Sequence, residues 1–126
     1  MGYKFIPTKV HGALDYIVAI ALILAPMLFG FQEVGGAAVV IPMVLGVGLF
    51  VYSLFTNYEW GIFKVISMPY HLVIDVLASI LLIVSPFLFG FIDEEPNAWL
   101  PHIAVGVTVI LVVLFSQSTP SKADVV

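Results

Sequence analysis

Four apolar runs, at about residues 10–29, 37–55, 70–89 and 99–115, succeed one another with little polar interruption. Each is close to the ~20 apolar residues that a helix needs to cross the hydrocarbon core of a bilayer. Gln32-Glu33-Val34-Gly35-Gly36 separates the first two runs, and Asp93-Glu94-Glu95-Pro96-Asn97 separates the last two. Both breaks read as tight turns, so the runs pair into two helical hairpins. The longer connection, residues 58–69, mixes Trp60, Ile62, Phe63, Val65 and Ile66 with Glu59 and Lys64. It reads either as an element lying along the membrane surface or as a plain loop.

The two hairpins are copies. Set against each other at an offset of 60, residues 10–31 and 70–91 agree at ten of 22 positions. These are His11/His71, Asp15/Asp75, Ile20/Ile80, Leu22/Leu82, Ile23/Ile83, Pro26/Pro86, Leu28/Leu88, Phe29/Phe89, Gly30/Gly90 and Phe31/Phe91. Apolar composition alone can supply the Leu and Ile matches, but not His, Asp, Pro and Phe-Gly-Phe in register. The second halves agree more loosely, at Gly46/Gly106 and Phe55/Phe115, with Pro42 and Pro101 one residue out of step. Repeats of two spans each enter the membrane from the same side and are related by an axis along its normal. The expected fold is all-α: a four-helix transmembrane bundle of two parallel tandem hairpins, residues 1–57 and 70–117, with a connection at 58–69 and a tail at 118–126.

Composition agrees with a lipid solvent. Of 126 residues, 62% are hydrophobic and 10% charged, too little polar surface to cover a water-soluble globule. With four lysines, no arginine and a net charge of −4, the chain lacks the basic footprint of nucleic-acid binding. The absence of cysteine removes disulfides, thiolate metal sites and thiol catalysis. The first run outlasts a signal-peptide core and carries His11 and Asp15, so it reads as a retained span. Lys4, Lys9, Lys64 and Lys122 all fall in the N-terminal segment, the connection or the tail. By the positive-inside rule both termini are expected in the cytoplasm, in a multi-pass protein of a bacterial inner membrane.

Local signals mark the helix ends. Thr8, Ser67 and Asn97 are candidate caps, with Pro69 and Pro101 in the first turns that tolerate proline. Tyr58, Trp60 and Trp99 are placed at the membrane interfaces. Gly46, Gly48 and Gly106 are small positions that allow close helix approach. Pro26, Gly30 and Phe31, and their counterparts Ser85, Pro86, Gly90 and Phe91, form a helix-ending motif.

At Ser85-Pro86-Phe87-Leu88-Phe89-Gly90-Phe91 the chain resembles the SPW-repeat family of small bacterial membrane proteins, in which Ser-Pro-Trp stands at the outer end of a span. Here Phe87 replaces the tryptophan, and the first copy reads Ala25-Pro26-Met27. The resemblance implies the paired-hairpin fold and the membrane location. It implies no activity.

The residues that demand a chemical explanation are His11 with Asp15 and His71 with Asp75. A spacing of four puts each pair on one helix face, about two turns inside the membrane. The pseudo-twofold axis can bring the pairs together in the cytoplasmic half. Proton or cation binding, a divalent metal held by imidazole and carboxylate, and a small polar or quinone-like ligand all fit. A structural alternative also fits: each Asp bonds its own His, a cap or Tyr16, with Lys9 and Lys64 neutralising the charge. His102, lacking a counterpart, is expected at the outer interface, and Asp93-Glu94-Glu95 as a solvated loop. No catalytic motif occurs, so no enzyme activity is expected, and the sequence names no cofactor. The reading is a small membrane protein that binds or conducts a proton, cation or ligand, or else a structural or accessory one. Its partners are the bilayer and, as a further expectation, another copy or another membrane protein.

Overall fold

The computed structural model describes residues 2–120; Lys122 and the rest of the tail from residue 121 lie outside the described residues. Four helices, α1 (Thr8–Leu28), α2 (Gly36–Leu54), α3 (Met68–Leu88) and α4 (Pro96–Phe115), form the bundle. All four are long and apolar enough to cross a membrane, and among the described residues there is no strand. Each helix starts slightly earlier than its apolar run, because a first turn needs no apolar residue. Its amide donors are unpaired in any helix, and Pro69 and Pro96 sit there without loss.

The caps differ from expectation. Pro7, not Thr8, precedes α1, and Glu95, not Asn97, precedes α4; Ser67 precedes α3 but its hydroxyl caps nothing. Thr8 donates to the Glu59 carboxylate at 2.8 Å, and Asn97 donates to the Phe29 carbonyl at 2.7 Å, joining the turn ends of the two hairpins. With α4 starting at Pro96, Pro101 falls inside the helix, as Pro42 does in α2. The repeated Pro-x-Leu-Phe-Gly-Phe segment ends a span. Gly30 and Gly90 take left-handed φ of 72° and 79°, and the Phe31 amide returns to the Pro26 carbonyl at 2.9 Å. Phe31 and Phe91 are thereby turned into a core at the hairpin-turn end with Ala25, Ala38 and Ala98.

Packing is tightest within each hairpin. A Cβ on Gly46 would lie 2.7 Å from the Ala19 carbonyl oxygen, and one on Gly106 would lie 2.8 Å from that of Ser79. These pairs are equivalent in the repeat, so each hairpin closes on the same backbone contact. The outward faces of all four helices carry exposed large apolar residues such as Ile17, Val44, Leu77 and Leu111, the surface that lipid covers.

The repeat extends into the chain ends. The Ile6 amide bonds the Phe115 carbonyl at 2.9 Å, and the Ile66 amide bonds the Phe55 carbonyl at 2.7 Å. The resulting bridges, Ile6 with Ser116 and Thr56 with Ile66, are equivalent at the offset of 60. They tie the N-terminal segment, both hairpin ends and the connection into one end of the bundle. The connection is a hydrogen-bonded loop folded back on α2: Ile62 and Phe63 both donate to the Leu54 carbonyl. Ile62, Phe63 and Val65 remain exposed.

Candidate metal centre

The folded-back loop and the two bridges enclose the four residues singled out by the repeat. His11, Asp15, His71 and Asp75 are all buried, and one ligand atom from each lies within 4.8 Å of the others. The pairing crosses the axis. His11 Nε2 is 3.0 Å from Asp75 Oδ2, and His71 Nε2 is 2.9 Å from Asp15 Oδ2, whereas each histidine is 3.3 Å from the aspartate of its own helix. Both imidazoles thus face both carboxylates, with Nε2 inward.

Two hydroxyls set that orientation. Thr56 Oγ1 donates to the Tyr52 carbonyl at 2.7 Å, and Ser116 Oγ donates to the Val112 carbonyl at 2.5 Å. With their hydrogens so committed, they accept from the rings: His71 Nδ1 is 2.7 Å from Thr56 Oγ1 and His11 Nδ1 is 2.7 Å from Ser116 Oγ. Nδ1 therefore carries a proton in both rings. Each hydroxyl comes from the opposite hairpin, and both are fully buried. The carboxylates are held by tyrosines: Tyr58 donates to Asp15 Oδ2 at 2.7 Å, and Tyr52 donates to Asp75 Oδ1. Burial above all, then the negative charge of Asp15, pushes the Tyr58 phenol well above its ordinary 10.0, so it stays a donor.

Several expectations are corrected here. Tyr58 is not an interfacial anchor; it is fully buried against the site. Gly12 makes room for it, since a Cβ there would meet Trp60 Cδ1 at 2.6 Å and Tyr58 Cε2 at 3.2 Å. Tyr16 bonds the Trp60 carbonyl rather than an aspartate, and Lys64 bonds the Tyr58 carbonyl. His102 is not interfacial: it is 2% exposed, lies between Phe31 and Phe91, and reaches the Ala98 and Ala38 carbonyls at 2.8 and 3.0 Å. It sits at the hairpin-turn end of the bundle, away from the four.

The model of the SPW repeat domain matches residues 9–116, nearly the whole described bundle and all four cluster residues. The chain belongs to the SPW-repeat family. No curated protein and no solved structure matches it. The family match is to a repeat, and the chemistry is read from this SPW-repeat chain's own side chains.

Those side chains suit a divalent ion. Two imidazole nitrogens and two carboxylates form a mixed N/O set of the kind that zinc-like metals accept. Bonds of about 2.0–2.2 Å to four tetrahedral ligands put neighbouring ligand atoms about 3.3–3.6 Å apart; the N–O contacts of 2.9–3.3 Å, which involve both oxygens of Asp15, are a few tenths of an ångström shorter. The Nδ1–hydroxyl bonds are the outer contacts that fix a ligating histidine's tautomer and aim. His71 Nε2 supplies the sharpest sign. It is a fully buried ring nitrogen 2.9 Å from Asp15 Oδ2 and 3.3 Å from Asp75 Oδ2, so it faces both carboxylates at once.

Proposed function

We propose that this multi-pass membrane protein binds one divalent transition-metal ion between its hairpins, with His11 Nε2, His71 Nε2, Asp15 and Asp75 as ligands. Charge supports a divalent ion: two carboxylates and two neutral imidazoles sum to −2, so a 2+ ion leaves nothing uncompensated at a depth where net charge is costly. Four protein ligands close a tetrahedral shell, the arrangement of a holding site and not of one that activates water. The chain thus binds an ion and is no hydrolase. Three lysines, Lys4, Lys9 and Lys64, lie at the end of the bundle that carries the cluster, which supports a cytoplasmic half and an inner-membrane setting. The single observation that carries the reading is the convergence of one ligand atom from each of His11, Asp15, His71 and Asp75 within 4.8 Å of one another.

One observation favours a second reading. His11 Nε2 and Asp75 Oδ2 meet at 3.0 Å in hydrogen-bond geometry, so a proton there, with a second at the 2.9 Å contact of His71 Nε2 and Asp15 Oδ2, can replace the ion as the compensating charge. Elemental analysis separates the readings, using protein purified without a histidine tag and dialysed against trace metal. The metal reading expects one ion per chain, lost on combined Asp15→Asn and Asp75→Asn replacement in protein that still elutes as a folded species. A metal-free wild type whose proton uptake depends on both aspartates favours the second reading. Should the double replacement only prevent folding, with no ion and no proton uptake in the parent, the cluster is a clamp between helices in an accessory protein.

A further inference from the structure

A carboxylate can give a metal one oxygen or two, and the choice sets how many ligands the ion has. In this cluster a phenol engages one oxygen of each aspartate. Tyr52 donates to Asp75 Oδ1, and Tyr58 donates to Asp15 Oδ2. Asp75 Oδ2 and Asp15 Oδ1 are the oxygens without a phenol, and both face imidazole. Asp75 Oδ2 is 3.0 Å from His11 Nε2 and 3.3 Å from His71 Nε2, and Asp15 Oδ1 is 3.3 Å from His11 Nε2. Asp15 Oδ2 also reaches His71 Nε2, at 2.9 Å, but it already holds the Tyr58 hydrogen. The two phenols are not products of the repeat: the positions equivalent to Tyr52 and Tyr58 are Val112 and Ser118. Two unrelated tyrosines, one in α2 and one in the connection, give the paired aspartates the same support.

That support discriminates between ions. Magnesium, calcium and manganese seek about six or more oxygen-rich ligands, whereas zinc is content with four. The site offers little from solvent: Asp15 is 6% exposed, Asp75 3%, His11 1% and His71 0%. A fifth and a sixth ligand therefore have to be the second oxygens of the two carboxylates. Those are the oxygens whose lone pairs and negative charge the phenols already draw on, which makes them poor further ligands.

We infer, building on the metal reading, that Tyr52 and Tyr58 are the positioning residues that set metal choice: each confines its aspartate to one ligating oxygen, holding the shell at four and favouring zinc over manganese, magnesium and calcium. The test titrates the untagged full chain in detergent with zinc, manganese and cobalt ions, in wild type, Tyr52→Phe, Tyr58→Phe and the double variant. Phenylalanine keeps the ring and removes the hydrogen. Wild type should prefer zinc and give the intense visible bands of a four-coordinate cobalt ion. Each substitution should lower the ratio of zinc to manganese affinity by about tenfold and weaken the cobalt bands as the coordination number rises. The single variants carry the result should the double one fail to fold. A merely structural role weakens zinc and manganese alike and leaves the cobalt spectrum unchanged; that outcome in a folded variant overturns the proposal. So does a wild type that takes manganese as tightly as zinc or holds cobalt in a six-coordinate shell. Metal binding without these preferences removes the tyrosines' role and keeps the centre, whereas a wild type that binds none of the three ions removes both.

Discussion

Thr56→Val tests the outer support of the centre. Valine keeps the shape of threonine and removes one oxygen, the one that accepts from His71 Nδ1 at 2.7 Å. The Tyr52 carbonyl, which loses the same hydroxyl, keeps the Phe55 amide at 3.2 Å, so no second orphan is created. His71 is then free to turn or change tautomer, and Nε2 loses its fixed aim. Losing such an outer contact typically costs about 10–100-fold in metal affinity, or ~1.4–2.7 kcal/mol. The buried Nδ1 donor, now unpaired, costs the metal-free fold about 1–3 kcal/mol as well. Competition against a chelator of known zinc affinity reads the first quantity, and denaturation of metal-stripped protein reads the second. Thr56→Ser, which restores the oxygen, should recover wild-type affinity. A folded Thr56→Val protein that binds zinc as tightly as the parent refutes the role given to this hydroxyl, and with it the argument that the rings are pre-aimed.

Three other outcomes follow from the same geometry. Because the hydroxyls hold both Nδ1 protons, the two inward Nε2–carboxylate contacts each hold one proton without an ion. Zinc binding should release two, and affinity should fall about 100-fold per pH unit on acidification while both are held; calorimetry in buffers of different ionisation enthalpy that finds no release rules out Nε2 ligation. Gly46→Ala pushes a methyl toward the Ala19 carbonyl and should destabilise the chain by about 1–3 kcal/mol in detergent unfolding. Gly48→Ala, facing open space, should stay within about 0.5 kcal/mol, and equal costs would contradict the hairpin contact. The raised folded pKa of Tyr58 stabilises the fold fully below its ordinary 10.0, and that contribution drains away as pH climbs beyond it. Tyr58→Phe should flatten the alkaline loss by up to about 1.4 kcal/mol per pH unit; identical slopes would place the phenol in water.

The sequence made the four spans, the hairpin copies and the His/Asp residues legible, because a polar residue repeated in register inside an apolar span is costly unless paired. Spacing along one helix pointed to His11 with Asp15 and His71 with Asp75. The shorter contacts run across the axis, and no linear spacing reveals them. Thr56 and Ser116 stood one step beyond the aligned Phe55 and Phe115, so the repeat carried a signal for them. Tyr52 and Tyr58 left no such trace: Val112 occupies the first one's equivalent position, and the second reaches Asp15 only because the connection folds back over Gly12. The equivalent of Gly12 is Leu72, which leaves no such room beside the other copy. His102 was misplaced because its burial depends on Phe31 and Phe91 closing over it after the left-handed turns at Gly30 and Gly90. Two of the three caps were misassigned because Pro7 and Glu95 precede the helices without any side-chain bond, a feature that residue preferences do not encode.

X-ray absorption at the zinc edge, on untagged protein reconstituted with one equivalent of zinc, tests the metal centre most directly. The account expects four nitrogen and oxygen neighbours at about 2.0–2.2 Å, with the outer-shell scattering of two imidazoles, and loss of one imidazole signature in His71→Gln. A spectrum of water oxygens alone, or one unchanged by His71→Gln, contradicts it.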